Sequence, residues 1–213
     1  MIILVYYVNF LLVYYVFKES VGVTNMSLNL NKKLSLICLL FITFSNIILY
    51  LSINSELKRT FSNSDFHANS TLSMANFEII LYSIQVYNLI VTLLSVFVCG
   101  LILWFVSFLL DSKEKKSKFI IISSIGIAIL SIKGIILAII NYLMGNYETL
   151  YIFSNNIILQ YFDPFIWIST VTVFVLLFKK TDLNKTNSLI ISIIYYIILC
   201  SSTIIQQIIR TLI

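Results

Sequence analysis

Apolar runs long enough to cross a bilayer recur along this chain of 213 residues, and short polar turns separate them. A helix rises about 1.5 Å per residue, so roughly 20 apolar residues cross a hydrocarbon core of about 30 Å. Hydrophobic residues make up 60% of the chain and charged residues 11%, whereas soluble domains carry about 25% charged residues. The sequence therefore predicts an all-α protein, a polytopic integral membrane helical bundle of five core spans.

The five predicted spans do not all fit a single crossing equally well. Residues 79–110 form an apolar stretch longer than one crossing needs, and Gln85 and Asn88 interrupt its first third. We expect an interfacial or tilted lead-in up to about Tyr87, followed by a span over the rest of the stretch. Residues 54–78 form the longest hydrophilic loop. The other predicted spans are residues 35–53, 119–144 and 189–209, and one that begins with residues 165–178.

The basic residues predict how these spans are oriented. Nine of the 14 lysines and arginines lie just before the first span or in the two turns DSKEKKSK (111–118) and KKTDLNKTNS (179–188). Basic loops stay in the cytoplasm, so we expect both turns there, in a multi-pass protein of the bacterial cytoplasmic membrane. The lipid bilayer, not nucleic acid, is the partner that this charge pattern indicates. Trp104 and Trp167, near the inner and outer ends of their spans, fit interfacial aromatic belts.

The first 25 residues are treated separately from residues 26–213, which hold the five spans. Residues 1–17 are apolar and rich in tyrosine, without the basic region or small-residue cleavage site of a signal peptide. Two interpretations stay open. Residues 1–25 form a sixth N-terminal span, or translation begins at Met26, where a polar lead and two lysines precede a span.

The single proline of the chain lies in the stretch FDPFIWIS. Proline is well tolerated at the first position of a helix, and an aspartate before it can accept a hydrogen bond from a free N–H of the first turn. We therefore expect Asp163 and Pro164 to begin a span at the outer surface, with Phe165 and Trp167 at interface depth. The alternative is that Asp163 contacts a peptide or an ion.

Lys133 is the one charge deep inside a predicted span, residues 119–144. A lysine at the bilayer centre costs about 2.5–3.5 kcal/mol on insertion scales. No carboxylate lies within a predicted span, and Asp163 or Glu148 could reach Lys133 only if the outer loop dips inward. Lys133 is therefore a candidate for contact with a substrate or subunit inside the bundle. The alternatives are a lysine facing a wet cleft, or one neutralised by desolvation.

Small residues cluster on the same span as Lys133. Pairs of them are four residues apart, the spacing that lets membrane helices approach closely. We expect this span to be the central helix of the bundle, and we predict a packing role for Ser124, Gly126, Ala128, Gly134 and Ala138.

Catalytic chemistry is not predicted for this chain, and neither is a cofactor or a metal site. The sole histidine, His67, lies in a polar loop, and the sequence has no glycine-rich phosphate loop and no paired acids within a span. The spacing of Cys38, Cys99 and Cys200 matches no zinc pattern. Each of these cysteines lies inside an apolar span, where we interpret it as a packing residue.

Residues 34–213 resemble the YIP family of five-helix membrane proteins that interact with Rab GTPases, and in particular its bacterial members. The resemblance rests on a leading span after a short polar segment, on WFVSFLL before a charged turn, on IIISSIGIAIL, and on FDPFIWIS followed by LLFKKTDLNKTNSLIISIIYYIIL. Two features usual in the family are missing, a proline near residues 131–134 and a glycine in the fourth span.

The resemblance implies a role without catalysis. Bacterial members resemble the YknW-type accessory subunit of peptide-exporting ABC systems, and they occur in gene clusters for self-protection against bacteriocins. The expected partners are ABC permease and ATPase subunits, or a bacteriocin-like peptide. The alternative is a small stand-alone transporter or channel subunit, with Lys133, Asn46, Gln85, Asn88 and Asn141 along its path. A membrane-shaping role rests on analogy with eukaryotic family members alone.

Overall fold

The computed structural model of the chain describes residues 32–62, 74–144 and 163–212, and the side chains of residues 33–54, 76–143 and 163–201. These residues form helices and turns without any strand, so the all-α prediction is confirmed for them. The predicted segment 1–25, His67 and Glu148 lie outside the described residues. The five helices are α1 (Lys32–Ser62), α2 (Met74–Leu109), α3 (Lys116–Met144), α4 (Pro164–Lys180) and α5 (Lys185–Leu212).

Three of these helices are long and apolar enough to cross a membrane. Their apolar stretches are Lys33–Asn54 in α1, Asn76–Leu109 in α2 and Lys116–Leu143 in α3. α5 contains a shorter apolar stretch, Lys185–Ser201. α4 has 17 residues and is about 25 Å long. The prediction of helices with the length and apolar character to cross a membrane is thus confirmed for three helices.

The bounds of α1 and α2 correct the predicted loop over residues 54–78. α1 continues to Ser62, because the segment ELKR consists of residues that favour helix. α2 already begins at Met74 and runs without interruption for 36 residues. The lead-in and the span that the sequence separates near Tyr87 are therefore parts of one helix.

α3 makes the most extensive helix contacts, with α1, α2 and α4 packed against it, while α5 packs against α4 and α2. α2 and α3 approach closely at Gly100, where an added Cβ would lie 2.7 Å from Ile120 Cα. The outer part of α2 contacts α1 through Tyr82 and Tyr50, whose ring centroids are 6.4 Å apart. The fully buried large side chains of the core are Ile42, Val96, Leu103, Phe119, Ile122, Val173, Leu177, Ile191 and Tyr195.

A left-handed residue ends α2 at the first basic turn. Asp111 has φ 63°, and the Ser112 N–H bonds the Ser107 carbonyl at 3.0 Å, which is the hydrogen bond of a Schellman-type helix end. At the second basic turn, Asn184 Oδ1 accepts a hydrogen bond from the Asn187 N–H at 2.7 Å and caps α5. Backbone hydrogen bonding around Asp111 therefore closes the first reversal, and a side-chain cap closes the second.

Candidate functional site

The start of α4 is capped by its own aspartate. Asp163 Oδ1 accepts a hydrogen bond from the Phe165 N–H at 2.9 Å, and Pro164 is the first residue of the helix. Pro164 has no N–H to leave unpaired at this position. Phe165 is buried, whereas Trp167 is 47% exposed and its ring lies 5.1 Å from that of Tyr196 on α5.

The second oxygen of the same carboxylate binds the lysine of α3. Lys133 Nζ and Asp163 Oδ2 form an ion pair. The Asp163 side chain is 6% exposed and the Lys133 side chain 28%. Asp163 therefore caps α4 and neutralises Lys133 at once, so two residues that the sequence singles out separately belong to one site.

The sequence-based expectation allowed this pairing only if the outer loop dipped inward. Asp163, the last residue of that predicted loop, lies beside Lys133 on α3 and is also the cap residue of α4. A buried charge is costly to leave unpaired, so the pair fixes where α4 begins along α3.

Serine hydroxyls connect α3 to each of three neighbouring helices. Ser45 of α1 donates to the carbonyl of Ser131. Ser123 of α3 donates to the Val96 carbonyl of α2 at 3.0 Å, and Ser169 of α4 donates to the Gly126 carbonyl at 2.8 Å. Hydrogen bonds between membrane helices contribute about 0.6 kcal/mol each on average. Their main effect here is to fix the register of α3 against its neighbours.

A buried tyrosine of α5 joins this network at Ser169. Tyr195 is fully buried, and its hydroxyl lies 3.0 Å from Ser169 Oγ. Gly126 makes room for it, because a Cβ at position 126 would lie 2.5 Å from Tyr195 Oη and 2.8 Å from Val173 Cγ2. Gly126 thus lies where α3, α4 and α5 meet.

The other predicted packing residues of α3 differ in how deeply they are buried and in which groups they contact. A Cβ at Gly134 would lie 3.0 Å from Ser45 Oγ of α1. Ser124 is fully buried and donates to the Ile121 carbonyl of its own helix at 2.7 Å. Ala138 is buried, and Ala128 is only half-buried. The two glycines therefore lie at close approaches between α3 and neighbouring helices.

Sequence reasoning missed Gly100, Ser169, Tyr195 and Asp182. Gly100 is the single small residue at its contact, so a search for small residues four apart does not find it. Ser169 and Tyr195 have no local pattern that distinguishes them from other serines and tyrosines in apolar helices. Asp182 is one of three acids among seven lysines in the basic turns, and its role depends on which turn lies beside it.

Asp182 joins the two basic turns at one end of the bundle. Ser112 Oγ donates to Asp182 Oδ1 at 2.5 Å, and the Lys113 N–H donates to Asp182 Oδ2 at 2.8 Å. The hydrogen bond from Ser112 is the main reason why the pKa of the Asp182 carboxyl lies below its ordinary value of 3.8. The turns DSKEKKSK and KKTDLNKTNS therefore form a single surface.

The N-terminal part of α2 carries a largely exposed apolar face, which touches α1 at its edge, through Tyr82. Six residues of this face line a shallow open groove, and their spacing of three and four places them on one side of the helix. Three of them, Ile79, Tyr87 and Ile90, are each at least 58% exposed. We call this set the α2 outer groove: Ile79, Tyr82, Ser83, Val86, Tyr87 and Ile90.

The described residues contain no group of three or more histidine, cysteine, aspartate or glutamate side chains placed to hold a metal ion. Cys38, Cys99 and Cys200 are buried, and none of the three forms a disulfide. Asn46, a candidate for a transport path, donates its amide to the Ile42 carbonyl of its own helix at 2.9 Å.

Comparison of the chain with protein-family models, with curated proteins and with solved structures gives no match. The resemblance to the YIP family therefore stays a prediction from the residues that carry it.

Proposed function

We propose that this chain is a multi-pass protein of the bacterial cytoplasmic membrane that crosses the bilayer five times and acts as a non-catalytic accessory subunit. It works beside an ABC-type peptide exporter or in self-immunity to a membrane-active bacteriocin. The contact between the two basic turns supports the five-span arrangement, because lysine-rich turns on one face satisfy the positive-inside rule. The capped start of α4 supports a crossing that begins at Asp163.

The observation that carries the accessory role is the length of the apolar face of α2. Exposed apolar side chains run from Ile79 to Leu109, which corresponds to about 45 Å of helix. A hydrocarbon core of about 30 Å covers a helix of that length only at a tilt near 50°, beyond the usual range of about 0–40°. Within the usual range of tilt, part of the apolar face of α2 therefore extends beyond the hydrocarbon core.

A protein partner would cover the part of this apolar face that extends beyond the hydrocarbon core. The groove consists mainly of isoleucine, valine and tyrosine, which suits an apolar helix of another subunit. Two tyrosines, Tyr82 and Tyr87, offer hydroxyl groups at the edge of the same face. A subunit of an exporter, or the complex that recognises a membrane-active peptide, provides such a helix.

The ion pair of Lys133 also supports a structural role over a transport path. A lysine that lines a path for a substrate would have to exchange partners as the substrate passes. Lys133 is instead bound to the carboxylate that caps α4, so releasing it would also weaken the start of that helix.

The test is deletion of the gene in its host, followed by challenge with the membrane-active peptide that its cells export or resist. We expect the deletion strain to become more sensitive and the wild-type gene to restore resistance. Val86→Glu, in the α2 outer groove, should fail to restore it. Ile84→Glu is the matched control, because Ile84 is similarly exposed but points away from the groove.

Both variants must first reach wild-type levels in the membrane and show unchanged thermal unfolding. Unchanged sensitivity of the deletion strain would contradict the proposal, and so would full complementation by Val86→Glu. Solute movement through liposomes that contain only the purified protein would favour the stand-alone transporter instead.

A further inference from the structure

The two basic turns are held together as one surface at the end of the bundle where α2 and α4 finish and α3 and α5 begin. The Asp182 carboxylate makes this connection with both oxygens, one to the Ser112 hydroxyl and one to the Lys113 N–H. Lysines that lie about 70 residues apart along the chain are thereby placed on a common face.

The charges on this face are unequal. The two turns hold seven lysines and three carboxylates. Two of the carboxylates already have partners, since Asp182 forms the bridge and Glu114 binds Lys118 at 2.5 Å. Lys113, Lys115 and Lys116 are exposed, as is Lys185 in the second turn. The α3 and α5 N-termini add partial positive charge.

Exposed apolar side chains lie directly beside these lysines. Phe108 and Leu109, at the end of α2, are 60% and 63% exposed. Phe178 of α4 and Leu189 of α5 are exposed next to the second turn. A soluble anion or nucleic acid would contact the lysines but would make no use of these apolar groups. An anionic lipid suits both parts, with its headgroup phosphate against the lysines and its acyl chains against the apolar groups.

We propose that the paired basic turns bind the headgroup phosphates of anionic lipids, and that Asp182 assembles this binding surface. The inference rests on the membrane-spanning part of the proposed function and goes beyond it. The two tryptophans of the chain provide reporters. Trp104 lies on α2 toward the basic turns, and Trp167 lies near the start of α4, at the opposite end of the bundle.

The experiment measures quenching of tryptophan fluorescence in the reconstituted full chain. Trp167→Phe leaves only Trp104, and Trp104→Phe leaves only Trp167 as the internal control. Each variant is placed in phosphatidylcholine bilayers that contain the same fraction of brominated phosphatidylglycerol or of brominated phosphatidylcholine. Near Trp104, we expect the brominated phosphatidylglycerol to associate about fivefold more strongly than the brominated phosphatidylcholine. We expect both lipids to quench Trp167 equally.

Two substitutions test how the surface is built. Lys115→Gln should lower the preference at Trp104 without abolishing it, because the other exposed lysines of the surface remain. Asp182→Ala makes the net charge of the surface more positive by one unit, because it removes a carboxylate. Simple electrostatic attraction therefore predicts a stronger preference for the anionic lipid. If Asp182 assembles the surface, the preference falls instead. Thermal unfolding of each variant checks that the bundle remains folded.

Equal quenching of Trp104 by the two lipids would overturn the inference, as would a stronger preference in Asp182→Ala. Loss of the preference in millimolar inorganic phosphate, but not in chloride of the same ionic strength, would assign the surface to a soluble anion and would also overturn the inference. If neither brominated lipid quenched either tryptophan, the result would instead contradict the proposed membrane insertion. Failure of the lipid-binding inference and failure of the proposed function are therefore distinguishable.

Discussion

Helices α2 and α3 are both apolar, yet they differ sharply in how much of their surface the rest of the bundle covers. Buried residues make up 39% of the most apolar part of α3 and 22% of that of α2. Apolar character alone therefore does not place a helix at the centre of a membrane bundle. It predicts only that the surface of the helix is covered by lipid or by protein rather than by water.

The difference follows from small residues and hydroxyl groups. α3 has Gly126 and Gly134 at close contacts with other helices, and hydroxyl groups hydrogen-bond across all three of its interfaces. The outer part of α2 has bulky side chains that project outward, and the hydroxyl of Ser83 there bonds its own helix. Without a hydrophobic driving force between helices in lipid, close approach and polar bonds decide which helices associate.

The largest expected effect comes from adding the same bulky side chain to each helix. Gly126→Leu places four carbons where a single Cβ would already lie 2.5 Å from Tyr195 Oη. We expect a loss of about 3 kcal/mol or more of unfolding free energy, as in overpacked cores, measured by unfolding in detergent. Ser83→Leu on exposed α2 is the control and should change stability by at most about 0.5 kcal/mol. Equal effects of the two substitutions would remove the distinction between the helices.

The next effect concerns the charge inside α3. Lys133→Leu leaves the nearly buried Asp163 carboxylate without its ion-pair partner. We expect a loss of about 2–3 kcal/mol, somewhat less than breaking a fully buried pair costs, since Lys133 keeps some exposure. The double variant Lys133→Leu/Asp163→Asn should recover part of the loss, because an asparagine can still cap α4. If Lys133→Leu unfolds like the wild type, the pair does not hold α4 in place.

A smaller effect separates hydroxyl groups that bond between helices from those that bond within one helix. Ser169→Ala removes the hydrogen bond to the Gly126 carbonyl of α3. It also removes the Ser169 hydroxyl that lies 3.0 Å from the buried Tyr195 hydroxyl. We expect a loss of about 1–2 kcal/mol. Ser95→Ala on α2 removes only a bond to the Thr92 carbonyl of the same helix and should have little effect. Chemical denaturation of the matched pair gives the difference, and a larger loss in Ser95→Ala would contradict the account.

The smallest effect belongs to the exposed bridge between the basic turns. The pKa of Asp182 in the folded protein lies below its ordinary value of 3.8, so its contribution is complete above that value and is lost as the pH falls through the folded pKa. We expect Asp182→Ala to unfold at slightly lower temperature than the wild type near neutral pH. The two curves should converge in acid below pH 3.8, where the wild-type carboxylate also takes up a proton. A difference in unfolding temperature between the two proteins that grows in acid would contradict the expected pH dependence.

Much of the helical architecture could be predicted from local sequence. Both basic turns interrupt the helices where their charges cluster, and the Asp163–Pro164 pair begins α4, because caps and charged turns depend on neighbouring residues alone. The continuity of α2 past Tyr87 could not be predicted, since polar residues in an apolar helix can face outward without ending it.

The contacts between helices were much less predictable. The pairing of Lys133 with Asp163 depends on how deep α4 begins beside α3, and no local pattern specifies that depth. The same holds for Tyr195 against Gly126, which are joined only after α5 has packed beside α4. The Asp182 bridge likewise requires two turns that are far apart in the chain to lie side by side.

The most direct test of the central claim is the location of the two basic turns in the membrane. Ser117→Cys and Thr186→Cys each place one thiol in a turn, in a chain whose three native cysteines are replaced by alanine. Asn76→Cys near the start of α2 marks the opposite side. We predict that a membrane-impermeant maleimide labels Asn76→Cys in intact cells but labels both turn variants only after lysis. Labelling of one turn and protection of the other in intact cells would contradict the five-span bundle.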